Sequence, residues 1–155
     1  YPLSEMQAAV LLPQLKQLDT RNQRRFKNAI RFLAACHDFD FLQPAIRPQV
    51  SETDSDHQPA FYKMAFRLSD SFGAHQREQL CVAAREAGVP IDPAFHSLNR
   101  IHSQRRFRAV GDLANSNVLH DHLLILHHTA LGSDAADVSA MASQLLSIGD
   151  AQRRS

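Results

Sequence analysis

The chain has 155 residues and a mass of 17.4 kDa, which fits one domain of the common size of about 150 residues. Its 17 basic and 16 acidic residues nearly cancel to a net charge of +1, which argues against a dedicated nucleic-acid-binding protein. A hydrophobic content of 44% excludes a disordered or collagen-like chain, the apolar runs are too short to span a membrane, and two cysteines fit a reduced, cytoplasmic setting.

The first 36 residues are predicted to form one long helix, from about Ser4 to Cys36. Ser4 and Gln7 have the spacing of a capping box, in which each side chain accepts a bond from the other residue's backbone N–H. Pro13 lacks an N–H, so we expect a kink there, or a break with a second helix beginning at Pro13. The apolar face of the helix follows the helical period through Ala8, Leu11, Leu12, Leu15, Leu18, Phe26, Ala29, Ile30 and Leu33.

The next part of the chain is predicted to hold two extended segments with an acidic loop between them. Pro44 and Pro48 make 42–50 an edge strand or a loop, because proline cannot donate a bond to a sheet. The polar stretch 51–59 is predicted to be an exposed loop, and the alternating stretch 60–68 a strand.

A helix is then predicted over 74–87, with Ser71 as its cap and Gly88 as its stop. The apolar spacing predicts that one face of this helix is buried. Its inward-facing residues are expected to be Leu80, Val82, Ala83 and Ala84.

The last third of the chain is predicted to hold two short strands and a final helix. The strands are 89–91 and the apolar run 123–126, separated by a loop with a short helix over 92–115. The final helix is capped at 133–134 and ends at Gly149.

The predicted fold is therefore α/β or α+β, a small sheet covered by helices within one domain. Residues 1–36 form its long helix, 37–150 its sheet-and-helix body, and 151–155 a polar tail. No internal repeat divides the chain.

Histidines cluster near the end of the chain, at His120, His122, His127 and His128. On a strand, His120 and His122 would share a face and allow a metal pair. The alternative is ordinary hydrogen bonding, because spacing alone places no third ligand. His127 and His128 end the predicted buried strand, where neighbouring side chains point to opposite sides, so one of them is a candidate for contact with a substrate.

Four arginines surround His102 and form a candidate phosphate or carboxylate site, because Arg makes bidentate bonds to such groups. They are Arg100, Arg105, Arg106 and Arg108. The alternative is a solvated face, or ion pairs with the acidic loop near Asp54 and Asp56.

Motifs alone assemble no complete active site. The three lysines, Lys16, Lys27 and Lys63, are expected at the surface, and Cys36 and Cys81 in the core. The chain contains no phosphate-binding loop, no glycine-rich dinucleotide motif and no nucleophile elbow.

The start of the chain carries a specific pattern. Positions 3–10 read Leu-Ser-Glu-Met-Gln-Ala-Ala-Val, followed by Gln-Leu-Lys-Gln-Leu-Asp at 14–19 and two arginines at 24–25. This pattern resembles the DegT/StrS group of pyridoxal-phosphate-dependent sugar aminotransferases, in which Met-Ser-Glu-x-Gln-Ala-Ala opens a long helix. The resemblance covers nearly the whole chain and weakens after residue 90.

In that family, such a segment is the C-terminal small domain of a fold-type-I enzyme. The resemblance implies that 1–155 is this domain alone and that the Schiff-base lysine belongs to a large N-terminal domain. Pyridoxal phosphate would then be bound by the parent enzyme and not by this chain, which would hold no catalytic residue. Because the chain begins with Tyr1 and lacks an initiator Met, we expect it to be truncated.

The family resemblance also implies partners. They are the N-terminal domain of the parent enzyme, a second copy in a homodimer, and a small sugar or cyclitol ketone that is aminated from glutamate or glutamine. Neither nucleic acid nor a membrane is expected as a partner.

The sequence departs from the family pattern at both ends. Tyr1 matches the tyrosine of an Asn-Tyr-Arg element that reaches the cofactor phosphate in the neighbouring subunit, but Pro2 stands where Arg is usual. The stretches 91–96 and 126–129 look closer to the branch that acts on cyclitol or aromatic-precursor ketones. Both stretches border the substrate entrance in the family, which implies substrate-side roles for Phe95, His96, His127 and His128.

Two other hypotheses remain open from the sequence. One is a non-enzymatic binding or regulatory module that reuses this domain, and the other is a small metal-binding domain built on the histidine cluster. The sequence upstream of Tyr1 would distinguish the first from an aminotransferase, and elemental analysis would test the second.

Overall fold

A computed structural model describes residues 4–45 and 59–154. The helices of this part are α1 (Glu5–Lys16), α2 (Leu18–Ala35), α3 (Ala74–Glu86), α4 (Leu98–Ile101), α5 (Ala114–His122), α6 (His128–Gly132) and α7 (Ala135–Arg154). The strands are β1 (Leu42–Pro44), β2 (Lys63–Leu68), β3 (Ile91–Pro93) and β4 (Leu123–His127), and a 3-10 turn spans Gln104–Arg106. The predicted fold class, a small sheet covered by helices, is confirmed.

The sheet has the order β1-β2-β4-β3, and each neighbouring pair is antiparallel. On the two central strands, Met64 pairs with Leu126 and Phe66 with Leu124, so that alternate residues form one fully buried face. Both predicted strands are present, but β2 begins at Lys63 instead of residue 60 and β4 ends at His127 instead of residue 126. β1 occupies the first part of the segment predicted to be an edge strand or a loop. The rest of that segment and nearly all of the predicted loop over 51–59 lie outside the described residues.

The N-terminal helix is broken, but not where the sequence predicts. Ser4 and Gln7 form the predicted capping box, with bonds of 3.0 and 3.2 Å. Pro13 lies inside α1, and the break falls at Gln17, whose N–H bonds the Gln14 carbonyl. The predicted single helix over 4–36 and the alternative break at Pro13 are therefore wrong, whereas a kink at Pro13 stays a prediction. α2 packs buried residues into the core, and α1 buries none.

The buried face of α3 also differs from the prediction. Leu80 and Ala84 are buried as expected, but Val82 is 46% exposed. Arg77 and Cys81 are buried instead. The helical period places Arg77 on the same face as Leu80, Cys81 and Ala84, whereas Val82 points to solvent and Ala83 is half-buried.

α3 lies between two glycines. Its cap is Gly73 and not Ser71, and the Gln76 side chain accepts the Gly73 N–H at 2.9 Å. Gly88 has a positive φ of 83° and ends the helix as predicted. Val89 then donates its N–H to the Ala84 carbonyl at 2.8 Å, so it belongs to the helix terminus. For this reason β3 runs over 91–93, not over the predicted 89–91.

Three helical segments near the end of the chain were not predicted, namely α5, α6 and the last turn of α7. α5 begins at residue 114, within the segment predicted to be a loop with a short helix. His120 and His122 therefore lie on a helix and not on a strand. α5 buries none of its residues, so its sequence has no apolar period to detect. α7 continues past Gly149 to Arg154, through residues predicted to be a stop and a tail. Gly149 is buried against the Phe41 ring, so its small size serves packing and not helix termination.

The core joins the sheet to α2, α3, α6 and α7. Phe32 of α2 lies 5.7 Å from Phe66 of β2, ring centre to ring centre. Phe41 lies between Phe39 and Phe72 at 5.6 and 5.7 Å. Among the described helices, none is both long and apolar enough to cross a membrane.

Candidate functional site

The end of β4 carries two adjacent histidines in different surroundings. His127 is the last residue of β4 and pairs with Lys63 of β2. His128 is the first residue of α6. The strand alternation that predicts opposite directions for the two side chains does not extend to His128, and the two rings have different partners.

His127 is held by a carboxylate that is itself held by an arginine. Its Nε2 lies 2.8 Å from Oδ2 of Asp92, and the Arg85 guanidinium binds Oδ1 of Asp92 at 3.1 Å. Because an ionised carboxylate only accepts hydrogen bonds, Nε2 is the donor in this contact, and in an imidazole with a single N–H the other nitrogen, Nδ1, is the acceptor. The His127 side chain is 31% exposed, so a ligand can reach this oriented ring.

His128 stacks on Tyr62, with ring centres 4.8 Å apart and planes 16° apart. Its Nδ1 is buried and has no hydrogen-bond partner among the described residues. Phe61, just before Tyr62, has a φ of 44°. A left-handed conformation costs a residue with a large side chain about 1 to 2 kcal/mol, and Phe61 adopts it directly before the residue that stacks on His128.

A cavity of about 490 Å³ lies beside His128, between the start of α2 and α6. We call it the basic cleft, because its lining includes four cationic side chains. Its residues are Lys16, Gln17, Thr20, Arg21, Arg24, Arg25, His128, Thr129 and Gly132.

The walls of the basic cleft are fixed by polar bonds between α2 and α6. Arg24 donates to the Gly132 carbonyl at 3.3 Å. The buried Asn28 amide donates to the carbonyls of Leu131 and Ser133, at 2.9 Å each. Arg25 donates to the Ala60 carbonyl at 2.8 Å and so ties α2 to the turn before β2.

His96 and His120 form a second pair, with ring centres 5.9 Å apart. The Ser97 N–H donates to Nδ1 of His120 at 3.1 Å. Burial lowers the pKa of His120 below its usual value, and the charges of Arg77 and Arg100 lower it further. The lowered pKa favours the neutral ring, which is the form that can accept the bond from Ser97.

Arg77 is 1% exposed and lies under the C-terminus of α5. It donates to the His120 carbonyl, one of the last four carbonyls of α5, which have no partner within the helix. A cation at this end is also favoured by the helix dipole. The burial of Arg77 could have been predicted from its helical spacing to Leu80 and Ala84. A search for apolar periodicity overlooks it because arginine is charged.

The strand-based argument for a metal pair at His120 and His122 is wrong, because both residues lie on α5. On a helix, residues two apart do not share a face. No group of three or more potential metal ligands occurs within residues 4–45 and 59–154.

The arginine cluster around His102 lies on an exposed part of the described chain. Arg100 pairs with Asp121 at 3.5 Å, and the side chains of His102, Arg105, Arg106 and Arg108 are exposed. The suggested partners Asp54 and Asp56 lie outside the described residues.

The lysines and cysteines lie where the sequence predicts. Lys16, Lys27 and Lys63 are exposed, and Cys36 and Cys81 are buried. Burial raises the pKa of each thiol to about 12, which keeps both protonated and unreactive at neutral pH.

The predicted substrate-side residues are distributed over three places. His127 lies beside Asp92, His128 lines the basic cleft, and His96 lies beside His120, next to the half-buried Phe95. Tyr1, the predicted cofactor contact, lies outside the described residues. Sequence reasoning missed Asp92, Arg85 and the cleft arginines of α2. The cluster of three arginines at 21–25 was the available signal for the cleft.

Residues 4–45 and 59–154 do not assemble a site for pyridoxal phosphate, which needs a lysine amine and a carboxylate for its ring nitrogen. Lys16 shares the basic cleft with three arginines, but no carboxylate lines that cleft. The Lys63 amine lies 6.0 Å from the Tyr62 ring centre, at the exposed start of β2.

Known proteins resemble this chain in sequence. The DegT/DnrJ/EryC1/StrS aminotransferase family model matches residues 1–143. An L-glutamine:2-deoxy-scyllo-inosose aminotransferase of Streptoalloteichus tenebrarius is 30% identical, over 94% of this chain and 37% of its own length. An enzyme of the same name from Micromonospora echinospora is 32% identical, over 88% of this chain and 34% of its own. The chain thus spans about a third of the length of these curated relatives.

The fold is shared with a solved structure. The crystal structure of 3-amino-5-hydroxybenzoic acid synthase superposes with a TM-score of 0.79 and covers 96% of this chain and 39% of its own. The sequence identity is 21%, so this similarity establishes the fold alone.

Proposed function

The chain belongs to the DegT/DnrJ/EryC1/StrS aminotransferase family, and we propose that it is the C-terminal small domain of a pyridoxal-phosphate-dependent aminotransferase. In this proposal the parent protein aminates a ketone on a cyclitol or sugar. The names of the two curated relatives favour a cyclitol ketone as acceptor and L-glutamine as donor. The matched region spans about a third of the length of those relatives, which supports the proposal that this chain is one domain of a larger protein.

The observation that carries the domain role is the apolar surface of α1. None of its residues is buried, and the exposed fractions of Met6, Val10, Leu12 and Leu15 are 79%, 57%, 56% and 62%. Scattered apolar residues on a surface are ordinary, but several large ones exposed together on one twelve-residue helix are typical of an interaction site. In our proposal the cofactor-binding domain covers α1.

The contribution of this chain to the reaction is to bind and orient the ketone. The cofactor supplies the chemistry of amino-group transfer in the parent protein. His127 is the best-placed residue for orientation, because Asp92 and Arg85 fix its ring and leave Nδ1 as a hydrogen-bond acceptor. A cyclitol or sugar hydroxyl is a suitable donor to that nitrogen.

The first test compares the parent protein with the isolated chain. Expressed with its upstream sequence, the parent is expected to bind pyridoxal phosphate and to aminate 2-deoxy-scyllo-inosose from L-glutamine. The 155-residue chain is expected to form no borohydride-trappable bond to the cofactor, because none of its described lysines lies in a suitable site. Absorbance spectra measure cofactor binding, and mass spectrometry after borohydride reduction measures the covalent bond to the cofactor. A parent that neither binds the cofactor nor transfers an amino group would favour a binding or regulatory module instead.

The second test concerns His127 in the parent protein. Replacing it with glutamine (His127→Gln) is expected to lower kcat/KM for the ketone about tenfold or more, since misplaced substrate loses orientation. The half-reaction with L-glutamine should change less. The matched control is His102→Gln, because His102 is exposed and makes no contact with Asp92. Equal losses in the two variants, or in the two half-reactions, would count against the assignment.

A further inference from the structure

We propose that the basic cleft binds a phosphate-class oxyanion. This inference does not depend on transamination, because it rests on the charge and shape of the cleft. A positive result would stand even if the parent protein were not an aminotransferase.

The basic cleft is much more positively charged than the chain as a whole. The chain carries a net charge of +1, yet Lys16, Arg21, Arg24 and Arg25 converge on one cavity whose lining holds no Asp or Glu. Within residues 4–45 and 59–154, none of these four cations forms an ion pair of 4.0 Å or less. Like charges repel one another, so an anion bound among them lowers the free energy of the folded state.

The arginines of the basic cleft have N–H donors that are not used by other described residues and can bind a ligand. A guanidinium has five N–H donors. The bonds that Arg21 and Arg24 make are to the Gln17 side chain at 2.7 Å and to the Gly132 carbonyl at 3.3 Å. Neither partner is charged, so both guanidiniums keep their full attraction for an anion.

The chemistry of the lining favours phosphate over a single carboxylate. A phosphate group offers three or four acceptor oxygens and close to two negative charges, whereas a carboxylate offers two oxygens and one charge. Arg is suited to bidentate contact with phosphate, and Thr20 and Thr129 add hydroxyl donors. The volume of about 490 Å³ also leaves room for an organic group attached to the phosphate.

The test uses nuclear magnetic resonance of the isotope-labelled 155-residue chain, titrated with inorganic phosphate and separately with glucose 1-phosphate. Backbone amide shifts are expected to map to α2 near Arg21 and to α6. Saturation by both probes with similar affinity would identify the bare oxyanion as the ligand. Tighter binding of the ester would identify an organic phosphate. No saturable shift from either probe, or shifts that map to 100–108, would overturn the proposal.

The proposal is also tested with a double variant that carries both Lys16→Gln and Arg21→Gln. These two residues are chosen because neither side chain forms a hydrogen bond to α6. Phosphate affinity is expected to fall about tenfold or more, since two of four charge-assisted contacts are lost. The matched control, Arg105→Gln with Arg106→Gln, removes the same charge at an exposed turn and is expected to retain the affinity. Equal losses in both pairs would show only general attraction to a positive surface and would overturn the site.

A second measurement needs no variant. In the unaltered chain, phosphate is expected to slow the modification of Arg21 and Arg24 by phenylglyoxal, while Arg105 and Arg106 react at an unchanged rate. Peptide mass spectrometry reads the four sites separately. Uniform protection, or none, would contradict the proposal even if the double variant failed to fold.

Discussion

Gly149→Ala is expected to lower the free energy of unfolding by about 2 kcal/mol, although alanine is the better helix former by about 1 kcal/mol. A Cβ at position 149 would overlap the Phe41 ring, and the farthest of its three nearest ring atoms would lie only 2.8 Å away. Phe41 is itself 1% exposed and held between Phe39 and Phe72, so it cannot turn aside without disturbing the core. Urea unfolding of the chain, followed by far-ultraviolet circular dichroism, measures the change.

The matched control is Gly132→Ala at the end of α6. A Cβ there meets no atom within 4 Å, so the expected change is within about 0.5 kcal/mol. In a chain that carries Phe41→Leu, the cost of Gly149→Ala should shrink by about 1 kcal/mol or more, because the shorter side chain relieves the overlap. Additive effects of the two substitutions would show that the ring is not the obstacle.

Phe66→Ala is expected to cost about 3 to 5 kcal/mol, the usual range for removing a fully buried aromatic ring. Phe66 lies on a central strand, is 0% exposed and meets Phe32 of α2, so its loss opens a cavity between the sheet and that helix. Since a domain of this size is stable by only about 5 to 15 kcal/mol, the variant is expected to be close to unfolding. The midpoint of urea unfolding gives the measurement.

Val82→Ala provides the comparison for Phe66→Ala. Val82 is 46% exposed on α3, so removing its methyl groups is expected to change stability by no more than about 0.5 kcal/mol. A double-mutant cycle of Phe66→Leu with Phe32→Leu should give a coupling of about 0.5 to 1.5 kcal/mol for the ring pair. A loss below about 1 kcal/mol for Phe66→Ala would contradict the packing between β2 and α2.

Elements with a strong apolar period could be predicted from the sequence. The central strands, α3 and most of α7 were predicted close to their true bounds, and the end of α2 was predicted correctly although its start at Leu18 was not. The capping pair Ser4 and Gln7 was found because its bonds are local. α5 was missed because it buries no residue and leaves no period to detect.

The candidate site was predicted less well than the fold. His127 and His128 could be singled out from the sequence, but neither the helix that begins at His128 nor the partners of the two rings could be predicted. Asp92 is far from His127 along the chain, and the two meet only because β3 pairs with β4. The basic cleft requires α6 to return to the start of α2, which no local pattern encodes.

By itself, the sequence determined the fold class, the buried strands and the family, because these depend on periodicity and on a motif of adjacent residues. Only the tertiary structure decided three further features. Gly149 is a packing residue and not a stop, Arg77 is a buried cap and not a surface charge, and four cations on α1 and α2 share one cavity with His128. Each depends on a contact between residues distant in the chain, and such contacts are set by how the helices pack on the sheet.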